Sequence, residues 1–312
     1  MDNKKIEIFY EQVDKAVMKL YDELKLNYLD GLIRVGHDLV YETNENGLSE
    51  ETVNELNEIY DNLKSTTFFN EELRASLQLL IVKAFKHVGY SLDLMTPDSV
   101  NYLIAHLISK LCPYPLDILD TCVGTSNMLN AIIDFPNIEV LEAIGIDNDL
   151  SLVNLSATFS DLLNNGVKVY YQNAASPIID TVDVVVGDLP HQLAEERNGY
   201  NYLPYQIISE RMNNLRSGGY FIYLINNDFF SYPNNNKFKE ELEKEATLLG
   251  LFILDEKMFK NPKLAKSILV GVKDKLDSYD MMVQLVKLDN EKEIEKVITS
   301  IDKWIENIRS LL

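Results

Sequence analysis

Three stretches of this 312-residue chain end an apolar run on an acidic side chain, an arrangement that can hold a ligand at the carboxyl end of a strand. The first is Asp117-Ile-Leu-Asp120-Thr-Cys-Val-Gly124-Thr125-Ser126-Asn127, in which an apolar strand leads through an acidic, glycine-bearing turn into a helix. Such a turn lets a ligand approach the backbone closely, and the unpaired N–H groups of the helix start suit a carboxylate or a phosphate. The G-x-G-x-x-G spacing is absent, which argues against a dinucleotide pyrophosphate, and a plain strand–helix connection would read the same way. The second, Gly145-Ile-Asp147-Asn148-Asp149, offers a carboxylate able to accept hydrogen bonds from both hydroxyls of a ribose. Asp149 can cap the following helix unaided, which leaves Asp147 for a ligand. The third, Asp183-Val-Val-Val-Gly187-Asp188-Leu189-Pro190-His191, is a buried strand opening onto a carboxylate, a proline and an imidazole.

These stretches need a scaffold that brings strand ends together. From Leu116 onward, short apolar runs alternate with helix-length segments, the pattern of strands covered on both faces. The strands expected are 116–122, 141–147, 167–172, 182–187, 220–226, 249–256 and 267–273, with helices around 127–133, 150–163 and 202–215 between the first five. This alternation predicts a doubly wound, mostly parallel sheet of seven strands. Only the 257–266 loop separates the last two, so they are expected to pair as an antiparallel hairpin at one edge. Glu195–Tyr205, polar and rich in tyrosine, reads as a surface loop or as a lid over a substrate pocket. Before the sheet, Ile8, Val13, Val17, Leu20 and Leu24, and later Val53, Leu56, Tyr60 and Leu63, recur mostly at helical steps. A polar turn at Asn44–Gly47 and an N-cap at Ser49 interrupt this all-helical region. After the sheet, Ile294, Val297, Ile298, Ile301, Trp304, Ile305, Ile308 and Leu311 form one stripe, expected to pack on the sheet. The division expected is a helical domain at 1–92 and a ligand-binding domain at 93–312.

Composition narrows the chemistry. Two cysteines without a C-x-x-C pair and four scattered histidines assemble neither a disulfide framework nor a metal site, so no metal is expected and Cys112 and Cys122 read as reduced thiols. A charged N-terminus and the lack of a membrane-length apolar run predict a cytoplasmic protein with no membrane partner. The net charge is −20. Between Asp93 and Asp228 five basic residues (Lys110, Lys168, Arg197, Arg211 and Arg216) face seventeen acidic ones, a local balance of 5 − 17 = −12. A polyphosphate backbone is held by neutralising several phosphates, and no basic patch is available to do so.

In their order and at these strand ends, the three motifs resemble the class I S-adenosylmethionine-dependent methyltransferases, and among them the N6-adenine DNA methylases. The chain looks most like the YtxK-like DNA methylases of Gram-positive bacteria, whose helical N-terminal domain precedes a methylase-like domain. The resemblance covers about 94–273 and implies S-adenosylmethionine as cofactor. It implies that Thr96, in Met95-Thr96-Pro97, bonds the methionine carboxylate, and that Asp120, Gly124, Thr125 and Ser126 form the loop around the methionine moiety. It further implies Asp147 on the ribose, Asn148 beside the adenine ring, and Asn173-Ala174 against the adenine amino group. Asp188, Leu189, Pro190 and His191 stand at the catalytic [ND]-P-P-[YFW] motif. There the Asp188 side chain and the Leu189 carbonyl would accept the two N–H bonds of an amino group and aim its nitrogen at the methyl.

The sequence departs from the family at Thr121 for proline, Ser126 for the last glycine of the loop, Leu189 for proline and His191 for the aromatic residue on which a flipped base stacks. The reading is therefore a methyltransferase acting on an amino or amide nitrogen. A catalytically degenerate cofactor-binding or protein-interaction module and a protein glutamine N-methyltransferase stand as alternatives. DNA is implied as a partner by the resemblance, whereas the charge and the lack of a recognition domain oppose it. The methyl acceptor, a protein partner and a homodimer stay open.

Overall fold

In the computed structural model, which describes residues 2–311 apart from 42, 44, 260, 277, 278 and 289, four helices make up the N-terminal region. They are α1 (Asn3–Leu24), α2 (Tyr28–Val40), α3 (Glu50–Ser65) and α4 (Asn70–Val88). The Ser49 side chain caps α3 by accepting from the Thr52 N–H. Asn44, part of the expected turn, lies outside the described residues. Gly89, with φ at 80°, ends α4 in the left-handed conformation that costs glycine little.

The alternating half follows in chain order: α5 (Asp98–Leu111), β1 (Leu116–Asp120), α6 (Asn127–Ile133), β2 (Val140–Asp147), α7 (Leu150–Leu162), β3 (Lys168–Tyr171) and β4 (Val182–Asp188). Then come β5 (Leu193–Arg197), β6 (Tyr200–Tyr202), α8 (Leu203–Arg211), β7 (Leu215–Asn226), α9 (Asn235–Leu242), β8 (Thr247–Leu254), β9 (Lys266–Val272), β10 (Met282–Val286) and α10 (Glu291–Arg309). The main sheet runs β10-β8-β9-β7-β4-β1-β2-β3. Only β9 is antiparallel to its neighbours, lying between β7 and β8.

Two expectations are corrected here. The sheet has eight strands, not seven, and the β8–β9 pair is capped by β10, which runs parallel to β8 and forms the edge. β10 pairs through all five of its residues, yet only Val286 is fully buried. Half-exposed alternation over five residues gives a weaker signal than the continuous apolar runs of the inner strands. The Glu195–Tyr205 segment contains the antiparallel β5–β6 hairpin. Its turn, Asn198-Gly199, has φ of 57° and 83°, the left-handed pair that Asn-Gly favours in a two-residue hairpin turn.

The inward faces sort by strand parity. Val184, Val186, Leu224, Ile268 and Val270 face α5, α6 and α10, where Val297, Ile301, Trp304, Ile305 and Ile308 of the expected α10 stripe are buried, while Ile294 and Leu311 at its two ends are exposed. Val185, Tyr223, Ile225 and Leu269 face α8, α9 and the hairpin. Leu152, Leu155 and Phe159 of α7 share a third core with the four N-terminal helices. Among the described residues no helix is long and apolar enough to cross a membrane. Cys112 and Cys122 are both free thiols, and burial pushes the Cys112 thiol up to about 12.

Candidate active site

The parallel strands β1, β2 and β4 end side by side, which brings Asp120, Asp147 and Asp188 to one rim of the sheet. Asp120 is fully buried and accepts from the Cys122 N–H at 3.0 Å. Burial raises its pKa to about 7, with the nearby Asp188 and Asp147 charges acting in the same direction. Thr121 at the family's proline position donates its hydroxyl to the Val186 carbonyl at 3.1 Å. A Cβ on Gly187 would meet that hydroxyl oxygen at 2.3 Å, so glycine there permits the close approach of β1 and β4.

Gly124 adopts φ of 52° and donates its N–H to Asp147 Oδ2 at 3.0 Å. Any Cβ there would stand 2.8 Å from the Leu94 carbonyl, because the segment before α5 crosses directly over the loop. Ser126 also has positive φ, 62°, and is fully buried. Its hydroxyl lies 3.0 Å from that of Ser160 and accepts from Asn130 Nδ2 at 2.8 Å, so this side chain is turned toward α6 and α7. Those bonds offset the cost of a Cβ in the left-handed region. Thr125 is buried beside it.

Asp147 accepts a second N–H, that of Asp149, on Oδ1 at 2.9 Å, and burial raises its pKa against the pull of these backbone bonds. Each oxygen still has a second lone pair for a hydroxyl. Asp149 caps α7 as expected, accepting from the N–H groups of Ser151 and Leu152 at 2.8 and 3.2 Å, and also takes the Tyr90 hydroxyl at 2.7 Å. Asn148 is exposed on the rim. Asn173 is exposed too and bonds the Ala175 N–H at 2.8 Å, with Ala174 between them.

Asp188 is held on both oxygens. Oδ2 accepts the Thr96 hydroxyl at 3.0 Å, and Oδ1 forms an ion pair with Lys266 at the start of β9. Thr96 is buried, and its carbonyl accepts from Asn127 Nδ2 at 2.8 Å and Asn101 Nδ2 at 3.1 Å. Leu189 is buried and gives its N–H to the Leu224 carbonyl at 2.9 Å, a bond that proline could not make. Pro190, partly buried, carries the chain to His191. The imidazole is fixed on both edges, with Nδ1 3.1 Å from the Tyr202 hydroxyl and Nε2 3.1 Å from that of Tyr232. Those two tyrosines stack at 3.8 Å and 4°, nearly perpendicular to the imidazole.

Five contributors to this site escaped the sequence reading. Lys266 precedes an ordinary apolar strand, and only the antiparallel insertion of β9 beside β7 delivers it to Asp188. Tyr90 and Arg74 come from the helical region. Arg74 Nη1 donates to Asp98 Oδ1 at 2.8 Å and to Asn127 Oδ1 at 3.0 Å, while Gln78 Nε2 joins the same two residues at 3.0 and 2.9 Å. Asn226, at the end of β7, is the fifth; it is buried opposite Lys266.

Comparison with known proteins places this geometry. Residues 7–85 match the model of the YtxK N-terminal helical domain. The chain is 24% identical over 316 residues to the uncharacterized protein YtxK of Bacillus subtilis (strain 168), covering 95% of this chain and 96% of that one. A Listeria monocytogenes protein assigned as a class I S-adenosylmethionine-dependent methyltransferase superposes with a TM-score of 0.83 at 25% identity, over 97% of this chain and 100% of its own. The methyltransferase subunit of a type I restriction-modification system from Streptococcus thermophilus shares the fold at a TM-score of 0.63 and 11% identity, over 93% of this chain and 73% of that subunit. Residues 7–85 therefore form a YtxK-like N-terminal helical domain, and the chain carries the class I S-adenosylmethionine-dependent methyltransferase fold.

Proposed function

We propose that this chain is an S-adenosylmethionine-dependent methyltransferase whose acceptor is an amino or amide nitrogen, with a helical domain at 1–92 and a cofactor domain at 93–312. The observation that carries the reading is Asp188, a carboxylate at the end of β4, oriented by Thr96 and Lys266 next to the Asp120–Ser126 loop and Asp147. The residues present fit the cofactor. Asp147 has acceptor capacity for ribose hydroxyls, buried Asp120 favours a cationic group beside it, and the positive-φ Gly124 keeps the loop backbone bare. Thr96, Thr125 and Ser126 complete the loop on the methionine side, with Asn148, Asn173 and Ala174 on the adenine side. S-adenosylmethionine supplies an electrophilic methyl group on a sulfonium. The chain's own part is positional: the Asp188 carboxylate and the Leu189 carbonyl accept the N–H bonds of the acceptor, with Pro190 and His191 shaping the wall.

The acceptor's larger identity is argued from charge. The balance of −12 over 93–228 opposes a polynucleotide, although the N6-adenine DNA methylases and the restriction-modification relatives share the fold. An amide of a protein glutamine suits the acidic surface better. The engagement of both Asp188 oxygens, together with the fixed His191, favours one further reading, a degenerate member that binds the cofactor without turnover.

Calorimetric titration with S-adenosylmethionine tests the cofactor site. Asp147→Ala is expected to weaken binding by about 10- to 100-fold, the loss of hydrogen bonds to a charged group. Equal affinity in wild type and variant would remove Asp147 from the site.

Asp120 gives a pH signature. Its carboxyl is half protonated near pH 7 in the free protein, and a bound cation favours the ionised form. Affinity is therefore expected to rise with pH and then level off above 7, falling by roughly tenfold per unit below it. Asp120→Asn should flatten that profile, as titrations between pH 5.5 and 8 would show. In the unliganded protein the same raised pKa makes Asp120's contribution to stability fully present below the ordinary carboxylate range and lost as pH rises through about 7.

A further inference from the structure

Asn226 is 3% exposed, and among the described residues neither its amide nitrogen nor its carbonyl oxygen has a hydrogen-bond partner. The other buried carboxamides with an unpaired atom differ. Asn101 bonds the Thr96 carbonyl through its nitrogen, and Asn214 bonds the carbonyls of Ile178 and Asp180. A donor and an acceptor buried together without partners destabilise the folded protein, so a residue of this kind calls for an explanation.

Position supplies one. Asn226 pairs directly with Lys266 across the β7–β9 ladder, and cross-strand partners project from the same face. Two residues earlier, Leu224 is in register with Asp188 and belongs to the core on the α5 side. The alternation of side chains then puts Asp188, Asn226 and Lys266 on one face at one end of the sheet. The carboxylates proposed for the cofactor stand on β1 and β2, while these three lie on β4, β7 and β9, the other half of the crevice.

We propose that the Asn226 carboxamide is the recognition group of the acceptor subsite, and that its ligand is a second carboxamide, the side-chain amide of an acceptor protein. The inference rests on the methyltransferase reading and deepens it. Two primary amides pair reciprocally, each giving an N–H to the other's carbonyl, which satisfies both orphaned atoms of Asn226 at once. The other N–H of the incoming amide goes to Asp188, so for this acceptor the Asn226 carbonyl takes the place given above to the Leu189 carbonyl, and the nitrogen is held between two side chains. Lys266 is a positioning residue, which holds the Asp188 carboxylate in place through its ion pair. An uncharged acceptor amide on a protein also suits a region carrying −12, where a polyphosphate is repelled.

A site kept unsatisfied for a ligand trades stability for recognition. Asn226→Leu, close in shape and without polar atoms, is therefore expected to raise the melting temperature of the full chain by roughly 2–4 °C. Its S-adenosylmethionine affinity should stay within twofold of wild type. The second measurement uses the side-chain amide resonances of Asn226, identified by their loss in Asn226→Leu. With S-adenosylhomocysteine present, titration with N-acetylglutamine methylamide is expected to shift them, and titration with adenosine to leave them in place. A melting temperature at or below wild type, a variant that does not fold, or resonances unmoved by the glutamine probe overturns the subsite. Movement with adenosine alone overturns the carboxamide assignment. Wild-type titration with S-adenosylmethionine reads the methyltransferase assignment separately, so the two failures are distinguishable.

Discussion

Asp188→Ala is expected to lower methyl transfer by about 10²–10³-fold while leaving S-adenosylmethionine affinity within a few fold. An exocyclic amine or an amide is a weak nucleophile because its lone pair is delocalised. The site must therefore hold both N–H bonds on acceptors and fix the nitrogen's direction of approach. Asp188 is built for such a task, with Thr96 on one oxygen and Lys266 on the other, so that its side chain has little freedom left. Each oxygen retains lone-pair capacity for an N–H of the acceptor. Removing the carboxylate also leaves the largely buried Lys266 ammonium without its partner, so thermal melts should accompany the rates. Single-turnover transfer of a labelled methyl group provides the measurement. A variant that turns over like wild type would take Asp188 out of the reaction.

The second large effect is on stability, and it originates outside the sheet. Arg74→Met is expected to destabilise the protein by about 2 kcal/mol, because it removes a buried guanidinium from partly exposed carboxylates and leaves the buried Asn127 carbonyl with one donor fewer. Arg74 is 3% exposed and spans Asp98, Asn127, Tyr102 and Glu71. Denaturant unfolding gives the magnitude, and a loss under 1 kcal/mol would show that Gln78 alone suffices. The same substitution should weaken S-adenosylmethionine binding by about tenfold. Asn127 both meets Arg74 and holds the Thr96 carbonyl at 2.8 Å, so its release loosens Thr96 and, through it, Asp188.

The sequence announced its strand ends well and its neighbours poorly. β1, β2 and β4 were visible as apolar runs, and the acids that close them follow from strand polarity alone. The half-exposed β10 was missed, and with it the true edge of the sheet. The Asn198-Gly199 hairpin was legible in principle, since Asn-Gly is a strong local turn signal, but its flanks lack the alternating apolar residues that usually accompany one. Lys266 and Asn226 could not be found from spacing. They lie 78 and 38 residues from Asp188, and only the order of strands makes them neighbours. The two departures at the catalytic motif also change meaning in three dimensions. Leu189 uses the N–H that proline lacks to bond β7, and His191 is clamped between tyrosine hydroxyls, so both are integrated into this particular sheet.

The core that α7 shares with the N-terminal helices bears on how such a protein can be assembled from parts. Leu152, Leu155 and Phe159 belong to one layer with residues of α1–α4, while the residue capping α7, Asp149, receives the hydroxyl of Tyr90. A helical bundle joined by a mere linker could be exchanged between methyltransferases as a cassette. This one could not, because its seat includes a helix of the sheet domain and its Arg74 and Gln78 side chains reach Asn127, directly after the Asp120–Ser126 loop. Any recombination that moved the bundle would have to move the face of α7 and the Thr96–Asn127 crossing with it, which makes the unit of inheritance the whole chain.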